Sequence, residues 1–168
     1  MLFSKSRGRV VGGLLLTSLF AFAVCGAASA ATALRFTNKG VAVVDEQSFP
    51  MADGSTGSTF RSRLVAQTVA GDLRGQIISG DCYGQGSTSA AGAYLGTVAC
   101  TMQVSADDAY TWMTATDSSN GGNIFFVVTG GKGKFKGATG TGHYVYDWGG
   151  GDDGDRLTWT METTINLH

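Results

Sequence analysis

Apolar and polar residues alternate with a period of two through most of the chain after residue 30, and the clearest stretch lies near the C-terminus. There Leu157, Trp159, Met161 and Ile165 fall on one face of an extended segment, and Thr158, Thr160, Glu162 and Thr164 on the other. One face packs inward and the other meets water. The same alternation sets Val98, Cys100, Met102 and Val104 against Thr97, Thr101 and Gln103, and Tyr110, Trp112 and Thr114 against Thr111 and Met113. Further strands are predicted over residues 40–44, 59–69, 73–82, 123–129 and 143–148, with 34–36 either separate or continuous with the next, about eight to nine strands in all. No comparable stretch carries the 3.6-residue period of a helix.

The connections have turn chemistry of their own. Ser119-Asn120-Gly121-Gly122 supplies the positive-φ residues of a tight hairpin, and Gly149-Gly150-Gly151-Asp152-Asp153-Gly154 joins the last two strands in the same way. An antiparallel meander follows, so the fold class is all-β. About eight strands can close into a barrel that is packed with side chains or holds one small ligand. A two-sheet sandwich satisfies the same pattern.

Residues 1–30 stand apart from this alternation. Lys5, Arg7 and Arg9 precede an apolar run over residues 10–24, and Ala28-Ser29-Ala30 follows it. This is the pattern of a secretory signal peptide cut after Ala30, and the run is shorter than the roughly 20 residues of a spanning helix. Its removal leaves residues 31–168, the length of one domain, with no membrane partner expected and a secreted or periplasmic destination. Three of the twelve basic residues go with the leader and none of the thirteen acidic ones do, so the remainder is acidic and offers nothing to nucleic acid. In an oxidising compartment the two remaining cysteines, Cys82 and Cys100, are expected to form a disulfide, which in the chain-entropy model contributes about 3 kcal/mol.

The densest glycine cluster follows the apolar run over residues 124–128. Thr129-Gly130-Gly131-Lys132-Gly133-Lys134-Phe135-Lys136-Gly137-Ala138-Thr139-Gly140 surrounds a single aromatic with glycines, which suits tight turns and close backbone approach. A phosphate-binding loop would open a helix, whereas this segment leads into another strand, so it reads as an architectural turn anchored by Phe135. The pattern Thr-Gly-Gly-x-Gly-x-Phe-x-Gly-Ala-x-Gly resembles the signature of the barrel superfamily of the allene oxide cyclases and, more loosely, the plant dirigent proteins. The resemblance is specific over residues 123–144. It implies one antiparallel eight-stranded β-barrel of the allene oxide cyclase-like type over residues 31–168, often assembled as a homotrimer.

A barrel of this kind has one evident place for chemistry, its interior or mouth. Tyr110, Trp112, Tyr144, Tyr146 and Trp159 occupy alternate positions of their strands, so each set can point inward and line a pocket for a small apolar molecule, or fill a core. His143 is the default acid or base, but its parity opposes that of Tyr144 and Tyr146 and turns it away from the lumen. Asp147, Asp152, Asp153 and Asp155 lack the spacing of a calcium loop, and no histidine or thiol cluster suggests a metal. Lys132, Lys134 and Lys136 would share one face of an extended strand. The early Glu-x-Asn pair and pocket cysteine of the plant cyclases have no counterpart here, where the first strand reads Leu34-Arg35-Phe36-Thr37-Asn38. No catalytic residue and no cofactor therefore carry over. The expected function is an exported small-ligand-binding or assembly barrel, with a cofactor-free isomerase or cyclase as the alternative.

Overall fold

The computed structural model describes residues 31–117, 123–148 and 156–168. The expected leader (1–30), the turn at 119–122 and the acidic connection with Asp152, Asp153 and Asp155 lie outside them. Eight strands close into a barrel, each antiparallel to its sequence neighbour, and the last returns to pair with the first. They are β1 (Thr32–Pro50), β2 (Thr56–Gly71), β3 (Ile77–Thr88), β4 (Tyr94–Gln103), β5 (Ala109–Asp117), β6 (Asn123–Lys132), β7 (Thr139–Trp148) and β8 (Arg156–Leu167). Closure leaves no unpaired sheet edge, which excludes the sandwich.

The period-two pattern becomes inside and outside. Trp159, Met161, Thr163 and Ile165 of β8 are buried, as are Val98, Cys100 and Met102 of β4 and Tyr110, Trp112 and Thr114 of β5. Most strands run further than the sequence pattern marks, and two differences bear on the topology. Residues 34–36 are continuous with the following strand, which runs unbroken through β1. The strand expected from Leu73 begins only at Ile77, because residues 72–76 form a tight turn in which the Gly75 N–H donates to the Thr68 carbonyl (2.8 Å) and the Thr68 N–H to the Gln76 carbonyl (2.9 Å). Leu73 remains apolar because it packs on the core from that turn.

The glycine-rich segment closes one end of the barrel. Strand β6 runs on through Gly130-Gly131-Lys132 after a bulge, at which Thr111 pairs with Gly130 while Trp112 pairs with Val128. A single 3-10 turn, Gly133–Phe135, then carries Phe135 into the barrel, where it is fully buried. Its ring centroid lies 5.6 Å from that of Tyr110, which in turn meets Phe36 at 6.0 Å. Gly131 is required by this approach, since a Cβ there would collide with the Ala109 carbonyl and the Tyr110 backbone. The turn is fastened by the Lys134 N–H, which donates to Asp108 Oδ1 at 2.9 Å, and by the Ala138 N–H, which donates to the Phe135 carbonyl at 3.0 Å. With Ile78, Met102 and Ile165 also fully buried, this end is filled solid.

Candidate functional site

The other half of the lumen is not filled. It holds a cavity of about 470 Å³ that opens at the end where β5 and β7 finish, and its apolar wall includes Ala42, Val44, Leu64, Val98, Ile124 and Met161. Trp112, Tyr144, Tyr146 and Trp159 supply its aromatic surface. Trp112 packs against Phe126 (4.7 Å) and Tyr144 (5.6 Å), and Tyr144 against Tyr146 (6.0 Å), so three strands present one continuous aromatic wall. Tyr110 is separated from this set. Although it shares a face with Trp112, the barrel is filled at its level, and its neighbours are Phe36 and Phe135 rather than open space.

Beyond the four that parity gathers and the aliphatic wall, Phe60, Tyr94 and Glu46 are among the residues that line the cavity. The signal for two of them lay in glycines. Gly84 and Gly86 alternate with Cys82 along the inner face of β3, and a Cβ at Gly84 would strike the Phe60 ring, while one at Gly86 or Gly96 would strike Tyr94. Rings lie flat across strands where the facing residue has no side chain. Cys82 and Cys100 face each other across β3 and β4 and are joined as a disulfide, Cα atoms 4.1 Å apart, in the cavity wall. That removes both thiols from any nucleophilic role.

The electrostatics of the cavity are uneven. The indole Nε1 atoms of Trp112 and Trp159 are buried without a hydrogen-bond partner. Burial pushes the Tyr144 phenol far above its ordinary pKa, and the nearby phenols of Tyr146 and Tyr94 add to the shift. Tyr94 is also raised, by burial first and then by the charge of Glu46. Both hydroxyls therefore stay protonated through neutral pH. Below the cavity Asn38, Thr68, Tyr110 and Thr163 form a buried polar cluster in which Thr68 Oγ1 donates to Asn38 Oδ1 at 2.8 Å. The Tyr110 hydroxyl sits beside Asn38 and Thr163 without a well-formed hydrogen bond to either, and it too is raised by burial.

The remaining candidates lie outside the lumen. His143 is on the outer wall, stacked on Phe125 at 5.4 Å with Nδ1 4.0 Å from Glu162. It borders an open depression of about 1180 Å³ that also includes Met113 and Val127. That depression is larger than the lumen cavity, but it lies open to solvent. Asp147 is exposed, and the three lysines do not form one line, because Lys132 ends a strand while Lys134 belongs to the 3-10 turn and pairs with Asp108 at 3.5 Å.

Solved structures share this architecture. A pterocarpan synthase dirigent protein superposes with a TM-score of 0.50 at 13% identity, over 82% of this chain and 89% of that one. The chain is a dirigent-like barrel. A second pterocarpan synthase dirigent protein aligns at 11% identity and a TM-score of 0.47, over 83% of this chain and 96% of its own. No family model matches the sequence, and no curated protein is similar enough in sequence to count as a relative. At such identities the likeness is one of fold, and what this dirigent-like barrel does has to be argued from its own lumen.

Proposed function

We propose that this dirigent-like barrel is exported and holds one small, mainly apolar molecule in its lumen without turning it over. The observation that carries the reading is the mainly apolar cavity of about 470 Å³ itself, walled by the aromatic side chains of Trp112, Tyr144, Tyr146 and Trp159. Small-molecule sites are concave, mostly apolar and about 300–1,000 Å³ in volume, with few polar groups, and this cavity has that character. The Cys82–Cys100 disulfide supports an oxidising destination, and exposed Met113, Phe125, Val127 and Val145 on the outer wall support assembly as a homotrimer.

Native mass spectrometry of the full exported chain tests this. A co-purifying small molecule is expected on the wild type and is expected to be lost or depleted in Trp112→Phe, which keeps an aromatic ring but removes part of the indole's contact surface from the wall. An empty wild-type barrel that also takes up no apolar probe would overturn the reading. The same spectrum reads the assembly state. A cofactor-free isomerase or cyclase of the allene oxide cyclase kind is the second reading, and Tyr144 favours it. Its phenol is kept protonated by burial in the aromatic wall, available to donate to an oxygen on which charge develops.

A further inference from the structure

The lumen has a charge polarity that its apolar wall conceals. Among the described residues that line it, the ionisable side chains are Glu46 from β1, Tyr94 from β4, Asp117 from β5, and Tyr144 and Tyr146 from β7, with no lysine, arginine or histidine. Glu46 has the inward parity of Ala42 and Val44 but lies beyond the buried part of β1, so its carboxylate stands at the mouth. It is close enough to Tyr94 for its charge to hinder ionisation of that phenol. The mouth thus combines a carboxylate with tyrosine rings, and the depth combines apolar side chains with two indole rings.

Resting on the reading of the lumen as a binding site, we infer that its ligand is an organic cation. An ammonium group occupies the mouth, beside Glu46 and against the tyrosine rings, while an apolar body reaches down to Trp112 and Trp159. Cations are attracted to aromatic faces, most strongly where solvent is thinned, and a neighbouring carboxylate adds to that attraction. A carboxylate ligand is disfavoured throughout, since no cation in the wall meets it and Glu46 and Asp117 repel it at entry.

A series with a common phenoxyalkyl body and a cationic, neutral or anionic head group tests this: 3-phenoxypropyltrimethylammonium, 3-phenoxypropanol and 3-phenoxypropanoate, titrated into the full chain by calorimetry and tryptophan fluorescence. The cation is expected to bind about fivefold or more tighter than the alcohol, and the carboxylate weakest. Glu46→Gln is expected to shrink the cation's advantage about threefold, and Glu46→Lys to shift the preference toward the carboxylate. Glu46 is exposed, so neither variant removes a core contact, and an unchanged urea midpoint certifies folding. Equal binding of alcohol and cation, or tightest binding of the carboxylate, would overturn the charge inference and leave lumen binding intact. Failure of all three to bind would overturn both.

Discussion

Truncating Phe135 to alanine removes the one side chain that closes the solid end of the barrel. The ring is fully buried and packs at a tilt against Tyr110, centroids 5.6 Å apart, which itself meets Phe36 edge-on at 6.0 Å. Phenylalanine-to-alanine changes in cores cost about 3–5 kcal/mol, with the spread set by how far the surroundings collapse into the void. Collapse is hindered here, because Asp108 holds the turn from one side and Gly131 already touches the backbone of β5. A loss of about 4 kcal/mol is therefore expected, or roughly 10–15 °C in Tm for a domain of this size. Phe135→Leu keeps part of the volume and is expected to lose about 1–2 kcal/mol. Urea unfolding followed by tryptophan fluorescence, with the disulfide intact, measures both through the midpoint at constant slope. A loss below about 1 kcal/mol for the alanine variant would show that the barrel end does not depend on the plug.

Two further outcomes follow from groups beside that plug. Tyr110→Phe deletes a buried hydroxyl that lacks a well-formed hydrogen bond, so the variant is expected to match the wild type or exceed it by about 1 kcal/mol; a clear loss in thermal unfolding would mean that the hydroxyl is bonded. Asp108 is held below the ordinary aspartate pKa, chiefly by the hydrogen bond it accepts from the Lys134 N–H. A carboxylate depressed on folding stabilises the protein above its unfolded pKa, and that contribution is lost as pH falls through the lower folded value. Asp108→Asn is therefore expected to flatten the acid limb of the stability curve, and an unchanged limb would count against the assignment.

The strands were legible because half-buried sheet imposes a period of two that sequence displays directly, as in residues 157–165. Phe135 was legible as an anchor because it is the sole aromatic in a run of glycines. Tyr110 was misplaced for a reason parity cannot express: it shares a face with Trp112, but depth along the barrel decides between core and cavity, and depth follows from stagger between strands. Glu46 escaped notice as a lining residue because the inner pattern of β1 ends at Val44, where burial ends, while the strand itself continues to Pro50. Phe60 and Tyr94 were missed because their partners are glycines, so the clue was a missing side chain on the facing strand.

The Phe135 plug has a consequence for traffic. A tube stoppered at one end has no through-flow, so arrival and departure share one doorway, and whatever slows one slows the other by the same route. If the lumen holds a ligand as proposed, such a vessel judges it by its leading end, which meets the wall of Trp112 and Trp159, while the trailing end lies toward Glu46 and solvent. Variation in length is then tolerated and variation at the buried tip is not.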